Sequence, residues 1–422
     1  MFIGGSQQFK LVEKAGPPGL ATSAEGSRCA SYCTLNKEPP MARNGYKIFD
    51  ADTHVRPDAD LLEPYLTAAA RAKLAQYEKY KAKNKDGAVT YLMGERSYKR
   101  RLGLAHDAAP QTNEYMSGYK RHQHGKPNPL CERDSAVRIQ DMDVEGVDVN
   151  LMLPSGWFGC WTTIGDIALE TAVYEAYHRW MAHYCAAFPS RLKGVILVAA
   201  RDVKTSLAEL HRAAKESWPL AVFVYAPYQF PLDHPDLEPI WRTAADYDLS
   251  IALHTFTVMP PYAPGGLDSW DNLWLQRSAA HPWCGERNMA SIIGAGIMDR
   301  YPTIRVGTLE AGHGWLPSWV NRLEEHTKLC PEALPPLQHK IHDYVTGGRY
   351  FQSIEVSEGA AITRSVIDLM GPDILMFGSD YPHGESWYPI AVETVLGWNL
   401  PQDHMRKLLW GNAAKYYRRY EA

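Results

Sequence analysis

The sequence predicts an α/β fold, a (β/α)8 TIM-like barrel with a lid inserted after the first strand, on three observations. Apolar strand-like runs alternate with helix-periodic stretches from residue 135 onward. Counted with the run at 47–49, these apolar runs number eight. No glycine-rich loop follows the first run, whereas an open doubly wound sheet usually carries one there. Alternation argues for a parallel sheet, and eight units argue for closure into a barrel.

Residues 1–40 are rich in Gly, Pro, Ser and Ala and show no periodicity. Segment 1–46 is therefore expected as an N-terminal arm, extended or disordered, ahead of a barrel spanning 47–422. The first strand starts at Lys47-Ile48-Phe49 and runs into Asp50, Ala51, Asp52, Thr53 and His54. A helix is expected over 59–83, where Leu61, Leu62, Tyr65, Leu66 and Leu74 recur at helical spacing. Runs 89–93 and 96–101 flank Gly94-Glu95 as a hairpin would. Residues 103–129 are polar and loop-like. Segment 60–132 thus reads as an insertion, and long insertions at this end of a barrel commonly form lids.

From 135 the pattern is regular. Helix 135–145, closed by Gly146, leads to strand 148–153, and helix 167–187 leads to strand 192–198. Helix 203–217 precedes strand 221–225, and helix 237–247 precedes strand 250–254. Helix 286–300 precedes strand 304–310, helix 316–329 precedes strand 350–354, and helix 360–370 precedes strand 374–378. Helices near 390–396 and 404–417 close the chain.

Composition narrows the function. Hydrophobic residues make up 45% of 422, enough for a large core, and the formal net charge is −4. A net negative chain argues against nucleic acid or an anionic membrane as partner. The seven cysteines are scattered with no CxxC pair, as in a cytoplasmic protein with reduced thiols. No apolar run reaches transmembrane length. The 13 Trp and 24 Tyr suit aromatic-lined pockets; Trp157, Phe158, Trp161, Tyr228 and Trp387 are the candidates near the mouth.

Residues at the C-terminal ends of barrel strands face the active site. Alternate strand side chains share a face, so Asp50, Asp52 and His54 point together. The fifth strand ends in His254, the sixth in Glu310 with His313 three residues on, and the eighth is followed by Asp380, Tyr381, Pro382 and His383. A single strand-end histidine is ordinarily structural, and a single Asp after a strand ordinarily caps the next helix. Acids and imidazoles gathered at four strand ends are the donors that a divalent cation takes. Arg56, just past the first strand, is a candidate clamp for a substrate carboxylate, or else one half of a surface ion pair.

These residues carry a resemblance. D-A-D-T-H at 50–54, L-H at 253–254, L-E-A-G-H-G-W-L-P at 309–317 and F-G-S-D-Y-P-H at 377–383 resemble the amidohydrolase superfamily. The similar branch is the amidohydrolase-related group that contains aminocarboxymuconate-semialdehyde decarboxylase. Segments 138–153, 299–317 and 411–415 are similar to it as well, so the likeness spans about 47–417. It implies a distorted barrel with a divalent metal at the mouth, held by Asp52, His54, His254 and Asp380. The family's common His-x-His is here Asp52-Thr53-His54, and the sixth-strand position, often His, is Glu310. Those departures favour manganese or iron as well as zinc.

The activity implied is hydrolysis or decarboxylation of a small organic acid or amide. Its parts are a metal-bound water, Asp380 as general base, and His254 or Glu310 polarising the substrate. The alternative is a dinuclear iron or iron–manganese oxygenase, with Glu310 and His313 joining Asp52, His54, His254 and Asp380 around two ions. A non-catalytic subunit supporting a related chain is a third reading, against which the full donor set argues. A homo-oligomer, or an assembly with a related subunit, is the expected state.

Overall fold

The computed structural model describes residues 43–83, 89–91, 120–155, 166–225, 231–255 and 273–420. The expected arm, apart from 43–46, and the expected strand at 96–101 lie outside the described residues, as do Trp157, Phe158, Trp161 and Tyr228.

Eight parallel strands form one sheet: β1 Phe49–Val55, β2 Val149–Pro154, β3 Leu192–Ala199, β4 Pro219–Tyr225, β5 Ser250–His254, β6 Val306–Leu309, β7 Tyr350–Ser353 and β8 Leu375–Met376. Each strand pairs with the next in sequence. Ala51 N–H donates to Phe377 O at 2.9 Å and Asp380 N–H to Asp52 O at 3.0 Å, so the chain at and beyond β8 meets β1 and the ring is nearly closed. This is a (β/α)8 barrel.

The crossovers are built from α1 Ser135–Glu145, α2 Ile167–Ala186, α3 Val203–Ala213, α4 Glu238–Asp246, α5 Leu273–Gly294, α6 Leu316–Leu329 and α7 Gly359–Met370. The first three begin the same way. Asp134, Asp166 and Asp202 each accept a hydrogen bond from a first-turn backbone N–H, which satisfies a donor the helix itself cannot. Gly146, at φ 87°, ends α1 in the left-handed conformation.

Two expectations need correction. The helix over 59–83 breaks into Ala59–Leu62 and Ala68–Leu74 with tighter turns between and after. Pro64 opens the first tight turn, and Thr67 then caps a fresh helix by accepting from Ala70 N–H. Lys81–Lys83 pairs antiparallel with Val89–Tyr91; the expected partner of 89–93, at 96–101, lies outside the described residues. Helix 286–300 instead begins at Leu273, runs through Pro282, and is interrupted before Ile297–Arg300 by Gly296 at φ 67°.

The N-terminal end of the barrel is closed by the chain's own C-terminal segment. Tyr416 lies across the interior, its hydroxyl donating to Ile251 O at 2.7 Å. Gly307 on β6 makes the space, because a Cβ there would fall on the Tyr416 ring. Tyr417 stacks on Phe49 with ring centroids 5.5 Å apart and donates to Ala51 O at 3.1 Å. Among the described residues no helix is long and apolar enough to cross a membrane.

Candidate metal centre

At the opposite end, β1 carries Asp52 and His54, β5 ends in His254, Glu310 directly follows β6, and Asp380 lies a few residues beyond β8. All five are buried or nearly so. Their ligand atoms converge. His54 Nε2 lies 3.1 Å from Glu310 Oε2, 3.0 Å from Asp380 Oδ1 and 3.7 Å from Asp52 Oδ1. His254 Nε2 lies 2.9 Å from Glu310 Oε2 and 3.8 Å from Asp52 Oδ1.

The local chain explains each placement. A register shift between Asp50 and Thr53 breaks the simple alternation of β1. Asp50 consequently does not join the group: its Oδ1 accepts from Ser379 N–H at 3.0 Å, and burial pushes its pKa up to about 8. Asp52 stays on the mouth side. Its Oδ2 is held by Glu310 N–H and Ser353 Oγ–H, both at 2.8 Å, which leaves Oδ1 turned to the histidines. Gly378 leaves the room for this, since a Cβ there would lie 2.9 Å from Asp52 Cβ. Glu310 and Asp380 have φ of 50° and 60°. Left-handed backbone is uncommon for such residues and is typical of strained functional positions.

His54 is fixed from behind. Arg138 on α1, fully buried, donates to His54 O at 2.9 Å, Thr53 Oγ1 at 2.9 Å and Asn150 Oδ1 at 3.0 Å. Sequence reasoning quoted the segment around Arg138 without assigning the residue this task, because the partner atoms belong to other strands.

His313 is the departure from the expected ligand set. It is fully buried, and its ring points away from the mouth toward α7. Nε2 lies 2.9 Å from Thr363 Oγ1 and Nδ1 lies 2.7 Å from Glu358 Oε2, with Glu355 N–H also directed at Nδ1. Gly312, at φ 69°, turns the chain, and the turn delivers His313 to the helix layer. The structure therefore places His313 outside the group, as packing at the start of α6.

Two residues were missed as ligand candidates. His383 Nδ1 lies 2.6 Å from Asp380 Oδ1, and its ring stacks on His54 with centroids 4.0 Å apart. Its signal was position: it sits three residues after Asp380 in the turn where His383 N–H donates to Asp380 O. Glu355 lies two residues beyond β7 and faces Glu310, Asp52, Glu385 and Glu358. The strand-end rule pointed there too, but an acid after a strand has no motif of its own.

The electrostatics are those of a site short of positive charge. Burial raises the Asp380 pKa well above the ordinary range, and Glu310, Glu385, Glu355 and Asp52 raise it further. Glu355 is raised by burial and by Glu310, Asp52, Glu385 and Glu358. Burial also raises Asp52, against the pull of His254 and His54. Glu310, between two imidazoles, is held well below the carboxylate range despite its burial. His54 is raised because Glu310 and Asp52 outweigh its burial. Asp52 Oδ1 and both ring nitrogens of His54 are buried without a hydrogen bond of acceptable geometry. Such groups are costly unless something binds them. Two overlapping sets, His54–Glu310–Asp380–His383 and Asp52–His54–His254, each have ligand atoms within 4.8 Å of one another. The residues present fit a divalent cation.

The amidohydrolase family profile matches residues 122–419. The chain belongs to the amidohydrolase family. No curated protein matches this amidohydrolase in sequence. Among solved structures, a 5-carboxyvanillate decarboxylase from Novosphingobium aromaticivorans, in complex with manganese and 4-hydroxy-3-methoxy-5-nitrobenzoic acid, superposes with a TM-score of 0.62. The identity is 17%, over 89% of this chain and 96% of that one. A 2,6-dihydroxybenzoate decarboxylase from Rhizobium gives a TM-score of 0.58 at 14% identity, over 88% and 99% of the two chains. An amidohydrolase from Mycobacterium avium subsp. paratuberculosis gives 0.66 at 18%, over 89% and 100%. At these identities the likeness is one of fold.

Proposed function

We propose that the chain is a divalent-metal-dependent enzyme that decarboxylates a small organic acid, with hydrolysis of a small acid or amide as the second reaction open to the same site. The observation that carries this reading is the convergence of Asp52, His54, His254, Glu310 and Asp380 at the barrel mouth. The decarboxylases of similar fold, two of them solved with manganese, favour decarboxylation. A divalent cation bound there supplies Lewis acidity toward a substrate oxygen.

The chain's own residues account for the rest. Ser353 and the Glu310 backbone hold Asp52 so that one oxygen faces the site. Asp380 is the proton carrier. Loss of carbon dioxide leaves an electron pair on carbon that must take a proton, and Asp380, at the mouth within 2.6 Å of His383 Nδ1, is placed to pass one. Arg56 stands at the end of β1 with an exposed side chain, while Glu132 Oε1 holds its backbone N–H at 2.7 Å. Its guanidinium makes no ion pair among the described residues, so it is open to a substrate carboxylate. Trp387, stacked on His122 at 4.2 Å, offers an aromatic wall nearby.

The test is a carbon dioxide release assay on a panel of carboxylated phenols and small dicarboxylic acids. It uses chelator-treated protein with and without added manganese, zinc or iron, under air and under nitrogen. Metal-restored release that is indifferent to oxygen supports the proposal. Product formed only under air, with no carbon dioxide released, supports the oxygenase instead.

A further inference from the structure

The inward stripe of α1 carries three buried charged residues, Arg138, Asp141 and Glu145. Their spacing of three and four residues places them on one face of the helix. Apolar side chains would fill such a face without a desolvation cost, so buried charges there are weak evidence of stability alone. Each of the three grips chain that leads to the mouth of the barrel. Arg138 donates to His54 O and lies 4.9 Å over the Tyr381 ring. Glu145 Oε1 accepts from Val392 N–H at 2.9 Å.

Asp141 sits between them and gathers three donors. Its Oδ2 accepts from the Tyr381 hydroxyl at 2.5 Å and from Asn128 N–H at 2.8 Å, and its Oδ1 accepts from the Tyr388 hydroxyl at 3.0 Å. The two tyrosines bracket the turn that carries His383, and Tyr381 directly follows Asp380. Tyr381 O also accepts from His54 N–H at 2.6 Å, so this residue is tied to β1 by its backbone and to α1 by its hydroxyl. The third donor belongs to a segment that lies on the same turn. His124 N–H and Gly125 N–H both donate to Tyr388 O, at 2.9 and 3.1 Å, and Gln123 Nε2 donates to His383 O at 3.2 Å. A Cβ on Gly125 would fall 2.9 Å from Pro389 Cδ, so the two stretches touch.

We propose that Asp141 is a positioning residue for the metal centre: through the hydroxyls of Tyr381 and Tyr388 it fixes the turn that bears Asp380 and His383 against His54 on β1. The proposal rests on the reading of Asp380 as a member of that centre. Asp380 has φ 60°, and such backbone persists only where its surroundings hold it. The bond from Tyr381 to Asp141 holds it one residue further on. Arg138 and Asp141, a helical turn apart, thus secure His54 and Asp380 from the same face of α1. Under the competing arrangement, Asp141 and the two hydroxyls merely satisfy one another, and the turn keeps its place without them.

The experiment compares the full chain with Asp141→Asn, Tyr381→Phe and the double variant, by manganese titration, urea unfolding and hydrogen–deuterium exchange without substrate. Tyr381→Phe removes one hydroxyl and keeps the ring under Arg138, so the test stands even where Asp141→Asn fails to fold. Each single variant should weaken manganese binding by about 10–100-fold and speed exchange over 378–388, while exchange over 412–420 at the closed end is unchanged. The double variant should lose no more affinity than the weaker-binding single one, because residues that act through one bond are not additive. A lower urea midpoint with manganese affinity and exchange over 378–388 unchanged overturns the proposal and leaves the proposed function standing. Affinity losses that multiply in the double variant overturn Tyr381 as the route. A wild-type chain that binds no manganese, zinc or iron removes the proposed function, and exchange over 378–388 alone then decides whether Asp141 fixes the turn.

Discussion

The two ends of the barrel are both crowded with polar groups, and they treat them in opposite ways. At the N-terminal end the arginines and the Tyr416 carbonyl of the closing segment have partners. Arg305 donates to Tyr416 O at 2.8 Å and pairs with Asp248 at 2.9 Å. Arg418 grips Asp248 with two nitrogens, and Arg419 donates to Tyr247 O and Ala214 O. Ser250 donates to the same Tyr416 carbonyl. At the C-terminal end, Asp52 Oδ1 and the ring nitrogens of His54 are left without hydrogen bonds, two acids sit at positive φ, and carboxylates face carboxylates. A buried polar group that is satisfied contributes stability, and one left open costs it. The open end is the one at which barrels of this architecture place their chemistry.

Substitutions that damage one end and spare the other break or sharpen this comparison. The largest effect is expected from His54→Ala, which should weaken metal binding by more than about 100-fold while the barrel stays folded, since the lost ring nitrogens make no hydrogen bond of acceptable geometry. Equilibrium dialysis with elemental analysis, beside circular dichroism, checks it; full metal occupancy would contradict the assignment. Tyr416→Ala should do the reverse. Removing the ring from the closed end should cost about 3–5 kcal/mol in urea unfolding, with metal content per folded chain unchanged.

Ser353→Ala releases Asp52 Oδ2 and deprives Glu310 N–H of an acceptor at 3.0 Å. It should lower metal affinity by about 10–100-fold and stability by about 1 kcal/mol, both measurable on one preparation.

The smallest effect lies away from both ends, between α2 and α3. Buried His178 accepts from Leu197 N–H through Nε2 at 2.8 Å, so its proton is on Nδ1, facing Glu209 Oε1 at 2.9 Å. Burial lowers the His178 pKa, and Glu209 offsets this only in part. Although burial raises Glu209, Arg212 and His178 outweigh it and bring its pKa down to about 2. An unfolded histidine takes its proton below about pH 6.5, before the folded one does, so the unfolded chain binds more protons there. Stability is fully present above that value and falls as the pH drops through it; Glu209 adds a further loss below about pH 4.5. The urea midpoint at about pH 7.5 should exceed that at about pH 5.5. His178→Gln should flatten this dependence, and an unchanged slope would exclude His178 as its source.

The barrel was legible because its signal is local. Apolar strands and amphipathic helices announce themselves within a few residues, and Gly146 ends its helix as read. Asp52, His54, His254, Glu310 and Asp380 were legible for a related reason: once eight units close, every strand end comes to the same mouth, so position along the chain stands in for position in space. The helix over 59–83 failed where two local signals, Pro64 and Thr67, cut across a hydrophobic period.

The amino-acid sequence by itself determined the strand–helix alternation, the closure it implies, and the five donors carried to one end by that closure. Only the tertiary structure decided the direction of side chains whose partners are distant in the chain. His313 turned outward because Glu358 and Thr363, on or beside a later helix, satisfy both its nitrogens. His383 turned inward because Asp380 and the His54 ring offered it a place. Tyr416 found its site because Gly307, more than a hundred residues earlier, carries no side chain. A hydrogen bond or a stacked ring is decided by which atoms arrive within about 3–4 Å, and folding, not spacing along the chain, brings them there.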